Sequence, residues 1–164
     1  MILVISICKE KLHELEFVRP IEDILTKNKI KFQVKHYSKL NKQDISKADK
    51  IIICGTSLAD NKFLEDVKKF AWLKSYLKPV LGICGGSHII GITLGYKIKK
   101  SEAVGFKTIN FKKEFLGIKG KREVYSLHQY QVIPEVFQEK NFYATLFHPE
   151  VRNKNMIVNF LKKI

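Results

Sequence analysis

Four apolar runs of strand length, alternating with stretches of helical periodicity, constrain the fold of this chain most. We predict strands over about residues 1–7, 31–36, 50–54 and 79–83. This alternation is the order expected of a parallel sheet with helices on its faces. We therefore predict an α/β fold with an open, mostly parallel sheet flanked by helices.

The stretches around these strands predict four helices and a change of pattern in the second half. The first helix begins near Pro20, carries an apolar stripe and ends near Asn28. The others are predicted from about Asp60 into the seventies with Leu77 on the apolar face, over about 86–95, and from about 154. Short β-rich pieces, separated by Gly, Lys and Pro turns, are predicted over 103–111, 122–127, 130–133 and 142–146, which indicates a small β-rich insertion.

Length and composition predict one domain over residues 1–164. Hydrophobic residues make up 45% of the chain and charged residues 28%, the balance of a soluble globular protein. The opening apolar run is short and is followed by Lys9-Glu10-Lys11, so we expect a buried strand, with no leader and no membrane segment. Three cysteines, Cys8, Cys54 and Cys84, argue against a disulfide framework, and we expect a cytoplasmic protein with reduced thiols.

The formal net charge of +14 raises the question of a nucleic-acid partner. The lysines are scattered in ones and twos along almost every segment, without an aromatic-interleaved cluster, a recognition-helix pattern or a metal-finger spacing. A solvated, lysine-rich surface is therefore favoured over a nucleic-acid site.

A glycine-flanked cysteine, Cys84, follows the fourth predicted strand and precedes a helical run. A nucleophile at such a turn is held in a strained conformation, and Gly82 and Gly86 leave space where side chains would collide. The helix N-terminus favours a thiolate. The N–H groups of Gly85 and of Gly55, which follows the third strand, are candidates for stabilising an oxyanion.

Two alternatives to catalysis exist for this segment. It could be a glycine-rich turn with a buried cysteine, or a loop that cradles a phosphate. The phosphate alternative is weak, because the turn lacks a G-K-[ST] ending and a G-x-G-x-x-G pattern.

A candidate base lies in the last predicted strand, which ends in His148-Pro149-Glu150. Proline biases the preceding residue toward extended backbone, in which residues i and i+2 project to the same side. Glu150 can then orient the imidazole of His148, as a thiol nucleophile with a general base requires. His13, His36, His88 and His128 have no comparable carboxylate at this spacing.

In these segments the chain resembles the class I glutamine amidotransferase family, and the match covers nearly the whole sequence. The resemblance implies a flavodoxin-like sheet and a Cys84–His148–Glu150 triad. The segments that carry it are Gly82-Ile-Cys-Gly-Gly86, Phe147-His-Pro-Glu150, the oxyanion-hole strand and turn Ile51–Thr56, the histidine segment Val124–His128, and Val132–Phe137.

By this resemblance, Cys84 attacks the side-chain amide of glutamine, His148 protonates the departing ammonia, and water hydrolyses the glutamyl thioester. The expected partner is a separate ATP-dependent synthase subunit that consumes the ammonia, for which the amidotransferase subunit of GMP synthase is a precedent. No metal and no cofactor are implied. Glutamine, or another γ-glutamyl compound, is expected to contact Thr56, Ser87, His88 and His128.

The sequence departs from the family pattern at three points. Ser87-His88 stands where relatives often have His-Gln or Met-Gln, Tyr130 stands where several have aspartate, and the span from Cys84 to His148 is short. An imidazole at position 88 predicts substrate binding that depends on pH near neutrality. Two further functions remain open, a stand-alone hydrolase of γ-glutamyl compounds and a non-catalytic regulatory binding subunit.

Overall fold

The computed structural model describes residues 1–163, which form eight strands and six α-helices. The strands are Ile2–Ser6 (β1), Phe32–His36 (β2), Lys50–Ile53 (β3), Val80–Ile83 (β4), Ile98–Phe115 (β5), Ile118–Val132 (β6), Val136–Glu139 (β7) and Phe142–Thr145 (β8). The helices are Glu14–Phe17 (α1), Arg19–Lys27 (α2), Lys42–Lys47 (α3), Lys62–Glu65 (α4), Gly85–Thr93 (α5) and Lys154–Lys162 (α6).

Six strands form one sheet in the order β2-β1-β3-β4-β8-β7. All neighbouring pairs are parallel except β7 and β8, which form an antiparallel edge. β1, β4 and β8 are buried along their whole length because helices cover the sheet, which is why they are continuous apolar runs. The predicted open, mostly parallel α/β sheet is confirmed.

Two apolar clusters cover the two faces of this sheet. One contains the inward residues of α2 and α6, such as Ile21 and Phe160. The other contains Phe63, Phe70 and Ile89, from the segment that precedes β4 and from α5. α5 therefore packs directly against the sheet, and its first residue follows Cys84 at the carboxyl end of β4.

The helix predicted from Asp60 into the seventies has a different form. α4 is a single turn, and a 3-10 helix follows it over Val67–Ser75. Asp66 separates the two with φ −99° and ψ 12°, and its carboxylate accepts a hydrogen bond of 2.6 Å from Tyr37 Oη. Leu77, assigned from the sequence to the apolar face, is 85% exposed because it lies beyond the end of this helix.

The second half contains one long hairpin where the sequence predicted several short β-pieces. β5 and β6 pair from Ile98↔Val132 to Phe115↔Ile118, with two register irregularities. Leu116 and Gly117 connect the strands, and both have positive φ, as a tight hairpin turn with matching twist requires. The predicted piece over 142–146 does not belong to the insertion, because β8 pairs with β4 inside the main sheet.

The hairpin is anchored beside the carboxyl ends of the sheet strands. The backbone N–H of His148, three residues after β8, donates to the carbonyl oxygen of Tyr125 in β6 at 2.8 Å. β6 therefore forms one wall of the region around Cys84. Among residues 1–163, no helix is both long and apolar enough to cross a membrane.

Candidate functional site

The backbone at Cys84 is held in an unusual conformation by hydrogen bonds on both sides. Cys84 has φ 48° and ψ −104°, a positive φ that costs energy for a residue with a Cβ. Its N–H donates to Thr145 O of β8 at 2.8 Å, and its carbonyl accepts from Ser87 and His88 N–H at 2.9 and 3.2 Å. The paired strands and the first turn of α5 therefore fix this residue at the strand–helix junction.

Glycines at positions 82 and 86 are required by close backbone packing. A Cβ on Gly82 would lie 2.5 Å from Gly86 O, and one on Gly86 would lie 2.2 Å from Ile53 O. Both contacts are with backbone, which cannot move aside cheaply. The sequence pattern around Cys84 thus reflects the approach of α5 to β3 and β4.

His148 and Glu150 form a buried pair beside Cys84. His148 Nδ1 lies 2.7 Å from Glu150 Oε1, and both side chains are only 1% exposed. Burial alone would lower the pKa of His148, but Glu150 and then Cys84 act in the opposite direction, and the pKa lies well above its ordinary value. The imidazole and the carboxylate two residues later do pair, but through a turn and not through the extended backbone that the sequence predicted, since Val151 N–H donates to His148 O at 3.2 Å.

Gly55 lies against both the imidazole and the cysteine. A Cβ added there would be 2.6 Å from His148 Cε1 and 3.3 Å from Cys84 Cβ. Cys84 and His148 therefore approach the same point, and only a glycine fits between them. Gly85, the first residue of α5, is also buried next to Cys84, where an added Cβ would lie 2.5 Å from Ile7 Cδ1.

A small cavity at Cys84 is lined by three of the four predicted substrate contacts, Thr56, His88 and His128. Ser87 does not line it. The Ser87 hydroxyl donates instead to Cys84 O at 2.6 Å, so it supports the turn. Thr56 Oγ1 donates to Asp60 Oδ2 at 2.6 Å, which fixes the loop after β3.

His88 is neutral and its orientation is fixed. Its Nε2 lies 3.0 Å from Tyr130 O, and since a carbonyl only accepts, Nε2 carries the proton. The ring stacks on Phe63 at 6.1 Å between centroids. Burial lowers the pKa of His88 to about 4. The expectation that His88 titrates near neutrality is therefore wrong, because its buried surroundings disfavour the charged form.

His128 presents a second neutral imidazole to the cavity. Its Nδ1 donates to Ser101 O at 2.9 Å, so Nε2 is left as an acceptor. Burial lowers the pKa of His128 from its ordinary value. Within residues 1–163, His128 Nε2 and His88 Nδ1 are buried and have no hydrogen-bond partner. The cavity thus offers two unused acceptors.

The cavity is narrow in this structure. Its volume is about 10 Å³, roughly the space of one water probe and far too small for an amino acid. Asn61 Nδ2 donates to Gln129 Oε1 of β6 at 3.2 Å, and both residues belong to the lining of the cavity. The thiol of Cys84 donates to the carbonyl oxygen of Leu127 at 3.3 Å. The loop after β3 and the hairpin therefore meet beside the cysteine.

Sequence reasoning missed these walls. Nothing in the sequence marks Phe63, Asn61 or Gln129 as residues of the site. No local signal connects the two polar residues, because they are 68 positions apart and meet only through the placement of the hairpin. Tyr125 and Phe17, whose rings lie 6.4 and 5.5 Å from that of His148, were also missed.

The structure combines an α/β sheet, a cysteine at a strand–helix turn and a buried His–Glu pair beside that cysteine. This combination defines a class of candidate thiol hydrolases. The model of the family "Glutamine amidotransferase class-I" matches residues 13–164. The chain belongs to the class-I glutamine amidotransferase family, whose members hydrolyse glutamine with a cysteine nucleophile.

The chain is also similar in sequence to curated relatives that share one name. The imidazole glycerol phosphate synthase subunit HisH of Pelagibacter ubique (strain HTCC1062) is 28% identical, over 84% of this chain and 88% of its own length. The protein of the same name from Blochmanniella pennsylvanica (strain BPEN) is also 28% identical, over 72% of this chain and 82% of its own length.

Solved structures show the same fold at low identity. One of them is a protein from Thermoplasma acidophilum that is provisionally assigned as a subunit of GMP synthase. It superposes with a TM-score of 0.80 and 16% identity, and the match covers 98% of this chain and 92% of that protein. A glutamine amidotransferase from Thermotoga maritima gives a TM-score of 0.69 and 14% identity, over 98% of this chain and 81% of its own.

Proposed function

We propose that this chain is a glutaminase-type amidotransferase subunit in which Cys84, His148 and Glu150 act as a triad. The observation that carries the proposal is the buried His148–Glu150 pair of 2.7 Å, which meets Cys84 at Gly55. A thiol nucleophile needs a base, and the base needs a group that fixes its tautomer. A purely structural cysteine would need neither.

The chemistry assigns one role to each residue. Cys84 Sγ bonds to the γ-carbonyl carbon of glutamine after its proton passes to His148. The tetrahedral intermediate then loses the C–N bond as His148 returns the proton to the leaving nitrogen, which departs as ammonia. Water, deprotonated by His148, cleaves the thioester and releases glutamate. Glu150 holds the imidazole in position and stabilises its charged form.

The oxyanion of both tetrahedral intermediates is assigned to the backbone N–H groups of Gly55 and Gly85. Support comes from their positions on either side of Cys84, one after β3 and one at the start of α5. Backbone donors fixed by strand and helix ends cost no reorganisation when charge develops.

Substrate binding is assigned to the cavity walls. His88 Nδ1 and His128 Nε2 are unpartnered acceptors within residues 1–163, so they suit a ligand group rich in N–H donors. The α-ammonium group and the amide of glutamine are such groups. Thr56 is the third contact in this proposal. Ser87 is not a direct contact in this proposal, because its hydroxyl donates to Cys84 O.

A separate synthase subunit is the proposed partner. The HisH relatives are named as subunits of imidazole glycerol phosphate synthase, which gives a precedent for an ammonia-consuming partner. An ATP-dependent synthase, as GMP synthase suggests, is the partner the sequence predicted. The small volume of the cavity supports low activity of the isolated chain, since glutamine is far larger than the space that the loop after β3 and the hairpin leave.

A stand-alone γ-glutamyl hydrolase is the second candidate. The observation that favours it is His88, which stands where relatives often have a glutamine and lines the cavity. The two candidates differ in leaving group. Release of ammonia from glutamine that rises when a synthase subunit is added supports the first, whereas high partner-free turnover of a γ-glutamyl peptide supports the second.

Ammonia release from glutamine tests the catalytic assignment. Cys84→Ala and His148→Ala should each lower kcat by on the order of 10³-fold or more, because members of a triad act as a unit. Glu150→Ala should be milder. Lys119→Ala, at an exposed position near the turn of the hairpin, is the control and should keep near-normal turnover. Retained activity in Cys84→Ala would overturn the assignment.

A further inference from the structure

A second concave site lies at the carboxyl ends of β1 and β2. It has a volume of about 400 Å³ and shares no lining residue with the cavity at Cys84. The carboxyl edge of a parallel sheet is where open α/β folds hold ligands. Neither the triad nor the substrate contacts proposed above use this site.

The charge on its walls is strongly positive. Lys9, Lys11, Lys35 and Lys39 line it, against the single carboxylate of Glu14. Only Lys35 is paired with an acidic side chain in the part of the chain that the structure describes, at 3.7 Å from Asp44. A cleft lined by one sign of charge concentrates the potential and attracts ions of the opposite sign.

Other groups near this cleft do not cancel that charge. Burial raises the pKa of the Cys8 thiol, which lines the cleft, to about 11, so the thiol is neutral. The Asp60 carboxylate lies behind it and already accepts hydrogen bonds from Lys9 N at 2.7 Å and Thr56 Oγ1 at 2.6 Å. The lysine ammonium groups are therefore available to a ligand.

His36 lines the same wall. The backbone N–H of Ser38 donates to His36 Nδ1 at 3.3 Å, so Nδ1 carries the lone pair and the proton lies on Nε2. Nε2 is buried and has no hydrogen-bond partner within residues 1–163. A buried N–H without an acceptor is costly, and a bound anion would supply one.

We propose that this pocket, formed by Lys9, Lys11, Lys35, Lys39 and His36, binds a small molecule carrying a phosphate or pyrophosphate group. Lysine ammonium groups bind phosphate as point charges from several directions, which suits a compact, multiply charged oxyanion. The pocket is larger than inorganic phosphate alone, so it leaves room for an attached organic group. This site is independent of the proposed glutaminase activity.

Pyrophosphate binding at low salt, measured by isothermal titration calorimetry on the full chain, tests the proposal. We expect saturable binding to one site that weakens as the salt is raised, since exposed charges are screened. The double variant Lys11→Ala/Lys39→Ala should raise the Kd at least tenfold. The control Lys68→Ala/Lys119→Ala removes the same charge elsewhere and should leave the Kd within about twofold. No saturable binding, or equal losses in both double variants, would overturn the proposal.

Two further binding measurements test the role of the His36 N–H donor and the chemical class of the ligand. His36→Asn keeps an acceptor for Ser38 N–H but removes the Nε2–H, and we expect a weaker Kd with an unchanged circular dichroism spectrum. An unchanged Kd would remove His36 from the site. Citrate, a carboxylate of comparable charge, should bind more weakly than pyrophosphate. Equal affinity would contradict the phosphate preference. None of these results depends on glutamine hydrolysis.

Discussion

The hydrogen bond between Asn61 and Gln129 should control access to Cys84. A neutral hydrogen bond of this kind contributes about 0.5 to 1.5 kcal/mol. If the cavity must open before a reagent reaches the thiol, and opening is fast, the reaction rate follows the open fraction. Removing the hydrogen bond by Gln129→Ala should then raise that rate roughly 2- to 13-fold.

The assay is alkylation of Cys84 by iodoacetamide at fixed pH, followed peptide by peptide with mass spectrometry. Cys8 and Cys54 are 2% and 0% exposed and serve as internal references. Gln131→Ala, on the same strand two residues further along, removes an equal side chain outside the contact and should not change the rate. An unchanged rate in Gln129→Ala, or an equal gain in Gln131→Ala, would refute the reasoning.

A double-mutant cycle separates the effect of the hydrogen bond from that of simply making the side chains of the lining smaller. Asn61→Ala removes the donor from the other wall and should give a gain similar to that of Gln129→Ala. If the bond is the cause, the double variant should react no faster than either single variant. Additive gains would mean that truncation alone opens the cavity.

Three further predictions concern the buried groups. The pKa of His148 is raised in the folded chain, so above about pH 6.5 the folded chain binds more protons than the unfolded chain. The free energy of unfolding should therefore fall as the pH rises through the raised pKa. Glu150→Gln removes the main cause and should flatten this slope in urea titrations from pH 6 to 9, and a parallel slope would contradict the pairing. Because the pKa of His88 is about 4, the KM for glutamine should vary with pH between 6 and 8 in the same way in the wild type and in His88→Gln. A flatter pH profile of the KM in the variant would show that His88 titrates between pH 6 and 8. Gly86→Ala should lower the free energy of unfolding by roughly 3 kcal/mol or more in urea titrations, because its Cβ would meet Ile53 O at 2.2 Å, and a loss below about 1 kcal/mol would show that the backbone can move.

The main sheet could be predicted from the sequence because its central strands are buried on both faces. In a chain of this size, a continuous apolar run such as Ile51–Ile53 is best buried as a central strand covered on both faces. The candidate site followed from the same logic. β4 and β8 are adjacent and parallel, so Cys84 and His148, which follow them, lie at the same sheet edge.

The hairpin could not be predicted at its true length. Its strands alternate between exposed and partly buried residues, interrupted by lysines and glycines, and that pattern also fits several short strands. The 3-10 form of Val67–Ser75 was missed for a similar reason, since apolar spacing alone does not separate it from an α-helix.

Side-chain roles inside the site depend on contacts between distant segments. Whether Ser87 faces the ligand or the Cys84 carbonyl depends on its rotamer, and spacing does not fix a rotamer. The state of His88 depends on its burial against Phe63 and on the carbonyl of Tyr130, 42 residues away. Both could be assigned only with the hairpin in place.

Covalent labelling with a diazoketone analogue of glutamine tests the central claim most directly. The analogue alkylates the thiol that attacks the side-chain carbonyl, and mass mapping then identifies the modified residue. The account predicts a single label on Cys84, slowed by excess glutamine and absent from Cys84→Ala. A label on Cys8 or Cys54, or labelling of Cys84 that glutamine does not slow, would contradict it.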